Sequence, residues 1–113
     1  TVAHAIEAVS GYAVPHGEAV AMGLVAECRL AERLGAAPAG LAEEVATVLR
    51  RLDLPTSVPR DFGRDALLAV MRRDKKNRGA ELRVALQTGL GACAPRVADW
   101  TVSASEEAIL MSL

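Results

Sequence analysis

Large rings are nearly missing from this sequence: its 113 residues include one Trp, one Tyr and one Phe, while 51% are hydrophobic. A core without rings has to be built from Ala, Val and Leu, a composition that favours closely packed helices. Cysteine is scarce as well. Cys28 and Cys93 are too few for a disulfide framework and match no thiol metal spacing, so both are expected as small core residues in a reducing compartment. Neither sign of charge prevails: 13 basic against 14 acidic side chains leave a net charge of -1, and the pI is about 6.1. That balance supplies no field for nucleic acid or an anionic membrane surface, so neither is an expected partner. No apolar run approaches the ~20 residues of a membrane span, and no basic, cleavable leader is present, so a soluble cytoplasmic protein is expected. An initiator Met is also lacking, as is a capping residue ahead of the first apolar positions, which reads as a piece of something longer. The length allows one domain over residues 1–113, too little for a nucleotide-binding domain plus a substrate domain.

What is there is mostly helical periodicity. Val2, Ile6 and Val9 recur at helical spacing before Gly11, which predicts a short first helix with His4 and Glu7 on one side. "HGEAVAMGLVAECRLAERLG" predicts a second helix to Gly35, uncharged from Ala19 to Ala26 and therefore buried on all sides in its middle. A third helix carries the stripe Leu41, Val45, Val48, Leu49 and Leu52 opposite Glu43, Glu44, Thr47, Arg50 and Arg51. After the prolines of "DLPTSVPRDFG", Leu67, Leu68 and Met71 predict a fourth helix that runs into the basic "RRDKKNRG". "ELRVALQ" alternates as a half-buried strand that pairs with "VADWTVS" across the turn "TGLGACAP", and Ser103 with Glu106 forms a capping-box pattern for a last helix through Ile109, Leu110 and Leu113. The expected fold is mainly α, with a small β-hairpin.

The residues able to carry chemistry are few. His4 and His16 form no His-x-x-His or His-x-x-x-His pair, and a zinc ion needs three or four converging donors, so spacing alone makes no metal site. His16 nevertheless stands at a helix entrance between Pro15, which fixes the approach, and Gly17, which admits a close neighbour. Such a place presents an imidazole rather than hiding it. Glu7 either orients His4 or ion-pairs on the helix surface, and Glu18 sits where the helix dipole favours an acid. Lys75 and Lys76 are the only lysines among 13 cations and lie side by side in the basic cluster. They are either a solvated helix end or compact charges for a phosphorylated substrate.

"HAIEAVSGYAVPHGEAVAMGLVAECRLAERLG", followed by "RRDKKNRGAELRVALQTGLG", resembles the C-terminal domain of 3-dehydroquinate synthase and its sugar-phosphate cyclase relatives over nearly the whole chain. The H-A-I-E and H-G-E-A-V-A-x-G blocks together with D-K-K carry the resemblance, and the last twenty residues or so do not. It implies a helical domain of a two-domain enzyme, a phosphate-eliminating carbon–oxygen lyase of the shikimate pathway and aromatic amino acid biosynthesis. An upstream domain binds NAD, and the full-length enzyme is a homodimer. The family's zinc, replaceable by cobalt, is held by a Glu and two His. By this matching His16 is a metal ligand that also touches substrate, His4 moves a proton near the substrate's phosphate, Lys75 binds the substrate's acidic group and Lys76 stands beside it. The second zinc histidine would fall immediately before Thr1, where the family reads G-H-T or G-H-S, so these 113 residues hold at most one of three ligands and are expected to be inactive alone.

The chemistry so implied is a transient oxidation of a sugar-phosphate hydroxyl with bound NAD, phosphate elimination, reduction back, and aldol closure of a carbocycle. A 3-dehydroquinate synthase is the first expectation. A secondary-metabolism cyclase such as 2-deoxy-scyllo-inosose synthase or 2-epi-5-epi-valiolone synthase is the second, and a non-catalytic helical interaction module the third. The module predicts a self-sufficient domain, whereas half of an enzyme predicts exposed apolar side chains where another domain docks.

Overall fold

Ala and Gly along one side of the second helix let it lie unusually close to the first, and the rest of the fold is arranged around that contact. A computed structural model of the chain describes residues 1–73, 82–94 and 101–113. Its helices are α1 (Val2–Val9), α2 (His16–Arg33), α3 (Leu41–Arg51), α4 (Arg64–Arg73) and α5 (Glu106–Leu110). Its strands are β1 (Leu82–Val84), β2 (Gln87–Gly89), β3 (Ala92–Cys93) and β4 (Val102–Ala104). The expected mainly helical architecture is observed. One core joins Val2, Ala5 and Ile6 of α1 to Met22, Ala26 and Leu30 of α2, to Leu67 and Met71 of α4, and to Leu82, Val84, Leu86 and Ile109. Each such Val, Leu or Ile contributes about 1.5–3 kcal/mol when fully withdrawn from water.

Gly23 marks the α1–α2 approach: a Cβ built there would lie 2.9 Å from the Ala3 backbone N and 3.1 Å from the Ala3 Cβ. Any larger residue forces the helices apart. α1 ends in a Schellman turn, in which Tyr12 N–H donates to the Glu7 carbonyl at 2.8 Å and Gly11 N–H to the Ala8 carbonyl at 3.1 Å. Gly11 and Tyr12 both have positive φ, 61° and 63°, a conformation that Gly adopts freely and that costs a Tyr energy. The same device closes α2, where Ala36 N–H reaches the Ala31 carbonyl at 2.8 Å and Gly35 takes φ 70°. At the start of α3, Gly40 has no side chain to cap with, and Glu32 of α2 accepts from Ala42 N–H at 2.6 Å instead. As expected, α1 has no side-chain cap, and Thr1 Oγ1 donates to the Arg83 carbonyl at 3.2 Å.

Several expectations are corrected. The middle of α2 is not buried all round, since Val20 is 41% exposed and Leu24 half-buried. α3 is a helix, but rotated: it buries Leu41, Ala42 and Ala46 and leaves Val48 50% and Leu52 63% exposed. Leu41 and Val45 of the expected stripe still pack towards Cys28 of α2, beside Ala42. The expected pairing, by contrast, is observed: β1 joins β4 antiparallel, with Arg83 opposite Ser103. The segment taken as a turn forms a hairpin of its own, β2 with β3. The cap of α5 is Ser105, whose side chain accepts from Ala108 N–H, while Ser103 lies within β4. Finally, Cys28 is buried as expected but Cys93 is exposed.

Candidate functional site

Two elements converge on the candidate chemistry: the outer side of α1 and the entrance of α2. His4 is an exposed residue of α1 and lines a cleft of about 240 Å³ with Thr1, Ala8 and Tyr12 on its own side and Val70, Met71 and Arg73 of α4 opposite. Thr1, His4, Tyr12 and Arg73 are the lining residues with side chains able to hydrogen-bond or carry charge. Three residues on, Glu7 lies on the same side of α1.

His16 begins α2 directly after Pro15, which takes φ -57° and ψ 143° and leads the chain into the helix. Its Nδ1 lies 2.9 Å from Glu7 Oε1. The ring is 70% exposed and the carboxylate only 15%, so a largely buried acid holds an outward-facing imidazole. Sequence spacing leaves open whether Glu7 orients His4 or pairs elsewhere on the surface; the structure pairs it with His16, because the Schellman turn reverses the chain and returns residue 16 to the end of α1. Gly17 has no neighbouring atom within 4 Å of a Cβ position, so no group of the described residues uses the access that this glycine leaves open. Glu18 stands in the first turn of α2, where the dipole favours it.

The basic cluster divides. Arg72 donates from Nε and Nη2 to the two carboxylate oxygens of Glu106, both at 2.6 Å. This fork holds the Glu106 carboxyl below its usual range and lies away from the cleft. Arg73 instead lines the cleft beside His4. Lys75 and Lys76 lie outside the described residues. Among the described residues no group of three His, Cys, Asp or Glu side chains could hold a metal ion. What they contain is a single well-presented donor: with Nδ1 engaged by Glu7, the Nε2 of His16 is the nitrogen left to face outward. Burial pushes the Cys28 thiol up to about 11, with Glu27 and Glu32 adding to the shift.

A larger cavity of about 650 Å³ lies between the segment that includes Ser57, Arg60 and Phe62, the start of α4 and Leu113, and shares no lining residue with the histidine cleft. Tyr12 and Arg73 are the cleft residues that sequence reasoning missed. Tyr12 was visible only as a residue next to a helix-stopping Gly, and Arg73 only as a member of a basic run. No described helix is long and apolar enough to cross a membrane.

The sequence profile of the 3-dehydroquinate synthase C-terminal family matches residues 1–77. A 3-dehydroquinate synthase of Xanthomonas campestris pv. campestris (strain 8004) is 44% identical across 80% of this chain and 26% of its own length. One of Xylella fastidiosa (strain M12) is 43% identical with the same coverage. The chain thus spans about a quarter of the length of the curated relatives it matches. Among solved structures, 2-deoxy-scyllo-inosose synthase complexed with carbaglucose-6-phosphate, NAD+ and Co2+ superimposes with a TM-score of 0.85 at 21% identity, covering 98% of this chain and 30% of that one. A second structure of 2-deoxy-scyllo-inosose synthase gives 0.80 at 21% identity. The fold is that of the helical part of a sugar-phosphate cyclase, and with its first 77 residues matched the chain belongs to the 3-dehydroquinate synthase C-terminal family.

Proposed function

We propose that the chain forms the substrate- and metal-facing part of a 3-dehydroquinate synthase, a cyclase that eliminates phosphate from a sugar phosphate. The observation that supports it most is the arrangement on α1: His4 opens onto a cleft with Arg73, and one turn further on Glu7 holds the exposed ring of His16. His16 fits one donor position of a divalent metal through Nε2, and the remaining donors have to come from outside the described residues. When bound, the metal supplies polarisation of a substrate oxygen and NAD supplies reversible hydride acceptance. This chain's own part is to bind and to move protons. Arg73 and, from the resemblance, Lys75 and Lys76 bind and orient the anionic groups of the substrate. His4, exposed at the mouth of the cleft, exchanges a proton close to the departing phosphate.

The curated relatives named 3-dehydroquinate synthase are 43–44% identical over 80% of the chain, against 21% for 2-deoxy-scyllo-inosose synthase, which favours the seven-carbon heptulosonate substrate over glucose 6-phosphate. The test is phosphate release and product mass from the natural full-length protein with NAD and zinc. Substrates are 3-deoxy-arabino-heptulosonate 7-phosphate, glucose 6-phosphate and sedoheptulose 7-phosphate. Release from the heptulosonate alone, lost in His16→Ala, is the expected result. Release only from another sugar phosphate transfers the chain to a secondary-metabolism cyclase, and release from none supports a non-catalytic module.

A further inference from the structure

Glu7 has an unusual double attachment. Its backbone carbonyl accepts from Ser10 Oγ–H at 2.9 Å and from Tyr12 N–H at 2.8 Å, and Ser10 Oγ in turn accepts from Val14 N–H at 3.3 Å. Its carboxylate, 15% exposed, reaches the ring that starts the next helix, 2.9 Å away at Nδ1. The connection between α1 and α2 is therefore pinned to Glu7 at its beginning and at its end. An ordinary surface ion pair joins two swinging side chains and contributes little. Here one partner is nearly withdrawn from solvent on a helix that packs against α2, so the ring is the only part left to be oriented.

An ionised carboxylate accepts and cannot donate, so the proton of this contact is on Nδ1. A neutral His16 then carries its lone pair on Nε2, on the exposed side of the ring. We infer that Glu7 is a positioning residue that fixes the Nδ1–H tautomer of His16 and aims Nε2 outward as a metal donor; the second half of this statement rests on the function proposed above. The two halves have separate readouts. A carboxylate behind a metal-bound imidazole sets ring orientation and raises donor strength, and its loss typically costs about 10–100-fold in metal affinity.

The experiment uses the natural full-length protein labelled with 15N at histidine, together with Glu7→Gln, Glu7→Ala and His16→Ala. Without metal, long-range 1H–15N spectra report the His16 tautomer, the signal being identified by its loss in His16→Ala. Zinc alone is then titrated against a chelating dye, and circular dichroism monitors folding. Nδ1–H His16 is expected in the parent, a shift towards Nε2–H in Glu7→Ala, and zinc binding weakened about 10–100-fold, with Glu7→Gln intermediate because its amide oxygen still accepts. An unchanged tautomer in both folded Glu7 variants overturns the inference. A changed tautomer with unchanged zinc affinity, while His16→Ala loses zinc, overturns the positioning role towards the metal. Zinc affinity unaffected by His16→Ala sinks the donor reading of His16 and leaves the tautomer result standing. Should Glu7→Ala lose its helical signal, Glu7→Gln decides by the same readouts.

Discussion

α2 packs against both α1 and α3, and these two contacts differ in kind. Towards α1 the backbones meet at Gly23 and Ala3, and the side chains at the rim, His4, Glu7 and His16, are those the proposed chemistry uses. Towards α3 the contact is made by Cys28, Leu41 and Ala42, closed by the Glu32 bond to Ala42 N–H, with Val48 and Leu52 left facing solvent. The first contact is tight because Gly23 carries no Cβ to keep the backbone of α1 away. The second is made through side chains, which bury Cys28, Leu41 and Ala42.

The largest expected effect breaks the tight side. Gly23→Ala places a methyl about 3 Å from Ala3 and is expected to cost about 2 kcal/mol, within the usual range for overpacking. It should also disturb the His16 signal, because α1 has to move. Urea unfolding and the histidine spectrum measure the two consequences, and a neutral result would show that the contact is not tight. Next, Glu32→Ala removes the cap of α3 and should cost about 1 kcal/mol with no change at His16. A perturbed ring would mean that the two sides of α2 are coupled after all.

A smaller effect lies in the thiols. Cys28 is raised to about 11, chiefly by burial, so at pH 8 a thiol reagent should label only the exposed Cys93 until the chain unfolds. The raised value also means that the folded state keeps a proton the unfolded state loses. Its contribution to stability is thus fully present below the ordinary thiol range and is lost as pH rises towards 11. The smallest expected change is at Glu106, lowered by its bond to Arg72. Its contribution is present above the usual glutamate range and fades as pH falls through the depressed value, and Glu106→Gln should flatten this acid limb slightly, as for any exposed pair.

Much of the helical layout could be read directly. Gly11 and Gly35 mark the ends of α1 and α2 because each supplies the positive φ that a Schellman turn demands. Periodicity ranks residues by hydrophobicity and so puts Val48 and Leu52 inward, whereas α3 buries Ala42 and Ala46 beside Leu41 and leaves those two exposed. The Ser-x-x-Glu pattern points to Ser103 as the cap of α5, but β4 pairing claims its backbone and Ser105, three residues before an Ala, caps instead. At the site, His4 and His16 stood out through scarcity, and the family resemblance supplied their roles. The partner of Glu7 was not legible, because nine residues and a chain reversal separate it from His16.

The sequence alone therefore determined the helices, their stops and the few side chains able to do acid–base or donor chemistry, since these follow from local backbone preference and composition. Which of those side chains meet was decided only by the tertiary structure. The 2.9 Å contact between Glu7 and His16 exists because the turn pinned to the Glu7 carbonyl folds back on α1, and because Gly23 lets α2 lie close enough for the two ends to touch.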